Sequence, residues 1–217
     1  VSQSNKRLQK VGAEAILSRL ESLPTGNAKA LCQKISNLLG EHMGGSSGVL
    51  LCICFLGMAN SDGITTGTMS LPEWQSALAK GVQLMIEYGG ATCADGSPLD
   101  FAQIMNHNGS RTMLDALIPA CEPVDDADSM ESLESVLQNV NLGQRQKENP
   151  AAEIKQRESK RRSSVLSNVD LGALNTADIL KTDYGRSAYV SELKGHADPG
   201  AKAIYILLEA MIGAAGS

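Results

Sequence analysis

Apolar positions recur along the chain at helical spacing, broken by polar turns that carry glycine. Within residues 6–23, Leu8, Val11, Ile16, Leu20 and Leu23 predict a first helix, and Pro24 and Gly26 stop it. Residues 28–43 repeat the pattern with Leu31, Ile35, Leu38 and Leu39. Gly44-Gly45-Ser46-Ser47-Gly48 interrupts it with three glycines and two serines in five residues, which is a turn and not an element interior. Behind that turn, Val49 to Ala59 is apolar on every side and too short to span a bilayer. It predicts a buried helix that starts at the glycine-serine turn.

Ser61 to Ser70 is a polar loop. Ser70-Leu71-Pro72-Glu73 is a capping box with proline in the first turn. The helix it opens places Leu71, Trp74, Leu78, Val82 and Met85 on one face and ends at Tyr88-Gly89-Gly90. Residues 92–108 predict a loop, with a short helix at Leu99 to Met105 as the alternative. Gly109 to Leu117 is a second polar turn running into an apolar helix. Met130, Leu133, Val136, Leu137 and Val140 predict an amphipathic helix over 129–140. From 143 to 164 charges dominate, which predicts a solvated and partly disordered excursion. Within it, Arg161-Arg162-Ser163-Ser164 has the form of a site for a basophilic protein kinase. Order is expected again from about Val169, with polar turns at 182–187 and 195–201 and a nearly all-apolar last helix, Ala201 to Ala214. Seven or eight helices and no convincing strand make the class all-α.

Composition narrows the reading. A chain of 217 residues supports one sizeable core, and aromatics at 3% favour closely packed helices over a β-sandwich. A net charge of −5 argues against non-specific nucleic-acid binding. Five cysteines without a C-x-x-C pair fit neither a disulfide framework nor a zinc site, so Cys52 and Cys54 are expected to be small core hydrophobes in a reducing compartment. No signal peptide or membrane span is visible, and a cytoplasmic location is expected. The chain begins at Val1 and not Met, so it is expected to be part of something longer.

The turns carry the candidate chemistry. A helix start at 44–48 offers free N–H groups, two hydroxyls and the positive end of the helix dipole, which suits a phosphate. A serine cap on a core helix with no ligand is the equal alternative. Four polar turns, 44–48, 109–112, 183–187 and 195–200, alternate with apolar helices, and in an up-and-down array alternate connections fall at one end. Arg186 would there be a phosphate partner, because its fork matches two oxygens. Asp198-Pro199-Gly200 would be a rigid turn lining a pocket.

These residues resemble a known family. Gly40 to Gly48, Ser70 to Trp74, Tyr88-Gly89, Thr112 to Leu117, Gly185 to Tyr189 and His196 to Ala201 occur in the order found in the nucleotide-binding L domain of dihydroxyacetone (glycerone) kinases. The resemblance implies one L-type domain over 1–217, folded as a barrel of eight antiparallel helices that holds ATP or ADP at one end through magnesium ions. By matching motif, Ser46 and Ser47 would lie on the phosphates, and Gly89, Thr112 and Met113 would border the adenosine. Arg186 would face the phosphates, and Asp198, Pro199 and Gly200 would close the pocket. The partner would be a K domain carrying the sugar site, in the same polypeptide or in a separate subunit. A homodimer is a further option, and neither nucleic acid nor membrane is expected as a partner.

The departures also count. Family members carry an acidic G-D-G-D-x-G segment before the first long helix, and its carboxylates hold magnesium. Here that region reads Val1-Ser2-Gln3-Ser4-Asn5-Lys6-Arg7, and no acidic residue precedes Glu14. The metal-binding segment is therefore missing or degenerate, no catalytic residue is identified, and the chain alone is expected to be inactive. Segments 92–108 and parts of 124–170 are expected to be insertions. The expected function is ATP-dependent phosphorylation of dihydroxyacetone or a related triose. The alternatives are a degenerate module without catalysis and a stand-alone L subunit that carries ADP for phosphotransfer.

Overall fold

Local caps decide where the helices start. In the computed structural model, described for residues 11–62, 64, 67, 69–93, 95–106, 108–122, 150–179 and 195–214, Asn27 opens one helix by accepting the Ala30 N–H at 3.0 Å. Ser70 opens another with both arms of its capping box formed: the Ser70 N–H reaches Glu73 at 2.7 Å and the Glu73 N–H reaches the Ser70 hydroxyl. Those hydrogen bonds hold the exposed Glu73 carboxyl below the usual carboxylate range. The elements are α1 (11–17), a 3-10 turn Leu20–Ser22, α2 (Ala28–His42), α3 (Gly45–Ala59), α4 (Leu71–Gly89), α5 (Phe101–Met105), α6 (Leu114–Cys121), α7 (Pro150–Asn175) and α8 (Pro199–Ala214). No strand occurs among the described residues, only an isolated bridge between Thr92 and Pro98. The fold is all-α, as the hydrophobic spacing predicts.

Short connections make neighbours antiparallel. Packing runs α2 on α3, α3 on α4, α4 on α6, then α6 on α7 and α8, with α7 on α8. The middle of this series is α6, buried at every residue from Leu114 to Ala120. Leu78, Val82, Met85, Val165, Val169 and Ile204 fill the core around it. Each such side chain stabilises the fold by about 1.5–3 kcal/mol relative to exposure. Helices approach closely where glycine removes the side chain. A Cβ placed on Gly57 would lie 2.8 Å from the Gly81 Cα across α3 and α4, and one on Gly172 of α7 would strike the Asp115 carbonyl and come within 2.9 Å of Pro119 in α6. Cys32, Cys54 and Cys121 are core thiols raised by burial, Cys54 to about 12. Among the described residues, no helix is long and apolar enough to cross a membrane.

Several expectations need correction. α3 is a helix, but it is not buried on every side: Val49 is 59% and Leu56 45% exposed, because α2 and α4 cover only part of its circumference. The first helix buries Gly12 and Ala15 and leaves Val11 and Leu20 outside, since its contact with Met43 and Leu39 is made through a glycine. The charged stretch from Pro150 onward is not an excursion. It forms the first half of α7, and its long polar run adds helix-forming Ala, Glu, Lys, Gln and Arg to a segment anchored by Val165 and Val169. Ser163 and Ser164 therefore sit in mid-helix, their hydroxyls donating to the Ser159 and Lys160 carbonyls at 3.1 Å, and not in an open recognition segment. Asp198-Pro199-Gly200 is a cap and the first turn of α8, not a free-standing turn. The predicted helix 129–140 and the turn 183–187 lie outside the described residues.

Candidate functional site

Two of the polar turns become sites of different character. At the first, the chain turns from α2 into α3 through Met43 and Gly44. Gly44 is the N-cap of α3 in an extended conformation, and no side chain caps the helix. Ser46 is exposed and Ser47 half-buried in the first helical turn. The turn is tight: a Cβ on Gly48 would strike the Met43 carbonyl oxygen. Gly89, at the end of α4, lies beside it. A Cβ placed there would come 3.4 Å from the Leu50 Cδ2, one helical turn from Ser46 and Ser47. Gly90 then ends α4 in the left-handed conformation at φ 63°, its N–H donating to the Ile86 carbonyl at 2.8 Å. The structure thus places Gly89 against Leu50, one helical turn on from Ser46 and Ser47, and the start of α3 has no side-chain cap, a place where helix N–H groups and the dipole favour an anion.

The second site is the approach to α6. Asp115 is its hub, and it is almost fully buried. One carboxylate oxygen accepts from the Thr112 N–H at 2.8 Å and the Ser110 hydroxyl at 3.1 Å. The other occupies the space where a Cβ of Gly109 would be. The hydroxyls of Ser110 and Thr112 are 2.8 Å apart, and Thr112 Oγ1 also accepts the Leu114 N–H at 3.2 Å. Burial pushes the Asp115 carboxyl up to about 6 against the opposing pull of these hydrogen bonds. Arg111, 3% exposed and at φ 55°, turns its guanidinium to the carbonyls of Thr176, Ile179 and His196. Burial lowers its proton affinity, and the charges of Asp198 and Asp115 counter that.

Across the same junction, Asp198 caps α8: its carboxylate accepts the Ala201 N–H at 2.9 Å, and its own N–H donates to the Thr176 hydroxyl at 2.7 Å. A Cβ on Gly200 would lie 3.6 Å from the Met113 Cβ and 3.7 Å from its nitrogen. Thr112, Met113, Asp198, Pro199 and Gly200 therefore converge, as the turn pattern predicts. Thr112 and Asp198 do so as structural hydrogen-bonding groups. Arg186 lies outside the described residues. The sequence reading singled out the turn 109–112 but gave no individual role to Gly109, Ser110, Arg111 or Asp115, and it missed Thr176. A signal for Asp115 was present, because Thr112-Met113-Leu114-Asp115 has capping-box spacing.

The residues fit a nucleotide and a divalent metal unequally. The α3 start has open donors suited to phosphate oxygens. Among the described residues, no group of three or more His, Cys, Asp or Glu side chains is placed to hold a metal ion. Asp115 and Asp198 already accept hydrogen bonds within the turns.

Residues 9–180 match the DAK2 domain family. The chain is 26% identical over 210 residues to a Dictyostelium discoideum protein named "Probable dihydroxyacetone kinase", covering 92% of this chain and 26% of that protein. It is 30% identical over 198 residues to the Homo sapiens protein named "Triokinase/FMN cyclase", covering 88% of this chain and 26% of the relative. The fold matches the crystal structure of the dihydroxyacetone kinase of C. freundii with a TM-score of 0.58 at 24% identity, over 96% of this chain and 28% of that one. The chain thus spans about a quarter of the length of these relatives. A family match over most of the chain, together with a helical array of the same fold, gives the conclusion that this chain belongs to the DAK2 domain family.

Proposed function

We propose that this chain is the nucleotide-binding domain of a kinase acting on dihydroxyacetone or a related triose, working with a K domain that holds the sugar. The observation that carries this reading is the start of α3, which no side chain caps and where Ser46 is exposed and Ser47 half-buried one helical turn before Leu50, the neighbour of Gly89. N–H groups and hydroxyls there would bind and orient the phosphates of ATP or ADP. The junction of Met113 with Gly200 would border the nucleoside, and Arg186 would face the phosphates. The reaction would be in-line transfer of the γ-phosphoryl to a primary hydroxyl, with the domain supplying position and charge complementarity. Bound magnesium would neutralise phosphate charge. On this reading, 92–108 and the part of 124–170 ahead of the core residue Val165 are insertions away from the nucleotide, and a homodimer is an available assembly.

The sequence ahead of Glu14, which carries no acidic residue, favours a second reading, a degenerate module that keeps the fold without turnover. Calorimetric titration with ADP and ATP, with and without magnesium chloride, separates the two. Nucleotide binding that Ser46→Ala with Ser47→Ala weakens supports the site, and its absence in the folded protein overturns it. Mixed with an intact K domain, the chain is expected not to phosphorylate dihydroxyacetone, and measurable turnover would remove the degenerate reading.

A further inference from the structure

We infer that Arg111 is a positioning residue for the nucleotide edge, an internal staple whose guanidinium fixes the approach of Gly200 to Met113. The inference rests on the nucleotide-site reading above. Three segments distant in sequence meet on this one side chain. Nη1 donates to the Thr176 carbonyl and, at 3.2 Å, to that of Ile179, while Nη2 donates to His196 at 2.5 Å. Thr176 and Ile179 lie just past the end of α7, where helix carbonyls lack partners and the dipole is negative. His196 precedes the cap of α8. The Gly195 N–H donates to the Ala177 carbonyl at 3.0 Å and the Asp198 N–H to the Thr176 hydroxyl at 2.7 Å, so the two segments also join each other beside the guanidinium.

The geometry assigns consequence as well as contact. Asp198 starts α8, and the first turn of α8 puts Gly200 against Met113. The spacing of that edge follows from where Thr176 and His196 are held. Arg111 itself is buried, with its fork directed at backbone carbonyls, and it acts through the residues it holds. Lysine cannot replace it, because one ammonium on a flexible stem does not span carbonyls on two segments as a planar fork does.

Arg111→Gly removes the fork together with its stem, and glycine adopts φ 55° without strain. In the full chain, ADP affinity by calorimetry is expected to fall about tenfold. Amide hydrogen exchange should quicken at Gly195 and Asp198 while α2 to α4 keep their protection. Millimolar guanidinium should restore both properties, which a merely distorted fold would not show. If Arg111→Gly does not fold, Arg111→Lys carries the test with the same two readouts and a smaller expected loss. Unchanged ADP affinity and unchanged exchange in the folded variant would overturn the inference. Failure of the parent protein to bind ADP would overturn the nucleotide reading instead, and the exchange pattern would still decide whether Arg111 staples the junction.

Discussion

The starts of α3 and α6 are alike in composition and opposite in physical state. Each is a glycine-bearing polar turn of serines or threonine followed by an apolar helix. At α3 no side chain among the described residues caps the helix, and Ser46 faces solvent. At α6 the polar side chains are engaged: Asp115 holds Thr112 and Ser110, Arg111 holds three carbonyls, and Ser110, Arg111 and Asp115 are buried. Polar turn residues can serve a ligand only where the fold has not already satisfied them. On the reading proposed above, the open turn would take the anion and the closed turn would be the framework behind the nucleoside.

Substitutions should separate the two turns, and the largest effect is expected at the closed one. Asp115→Ala would take the acceptor from the Thr112 N–H, leave the Ser110 hydroxyl only Thr112 Oγ1 and open a cavity beside Gly109, with an expected loss of about 3 kcal/mol in urea-unfolding stability. A loss below about 0.5 kcal/mol would mean that the closed turn is no framework. At the open turn the pattern should reverse. Ser46→Ala with Ser47→Ala is expected to lower ADP affinity about tenfold while stability moves by less than about 0.5 kcal/mol. A large loss of stability there would erase the contrast.

Acidity offers a smaller and more specific probe. Burial raises the folded carboxyl of Asp115 to about 6 from an ordinary value of 3.8. Between these values the folded state holds a proton that the unfolded chain has released. The Asp115 contribution to stability is therefore full below the unfolded value and is lost as pH rises through about 6. Relative to Asp115→Asn, the parent protein should gain about 1 kcal/mol between pH 7 and pH 5. A flat difference would show that the hydrogen bonds to the carboxylate outweigh its burial. The smallest effect is expected on the outer face of α3, where Val49→Ser and Leu56→Ser should change stability by under about 0.5 kcal/mol, because both are already exposed. A larger drop would mean that this face is covered in solution.

The sequence by itself determined much of this protein. Helical spacing, the Ser70 capping box and the Gly89-Gly90 stop were legible because they depend on neighbours within four residues. The grouping of Thr112 and Met113 with Asp198 to Gly200 was legible only as a pattern of turns, since no local rule brings residues so far apart together. Tertiary structure decided the rest. The charged segment from Pro150 is helical because its far half is anchored in the core at Val165 and Val169. The apolar α3 keeps an outer face because its neighbours cover only part of it. Arg111 and Asp115 could pass in sequence for surface charges on a polar turn. Only the packing of α6 against α7 and α8 buries them, and a buried charge must find partners, which is why these two hold the junction together.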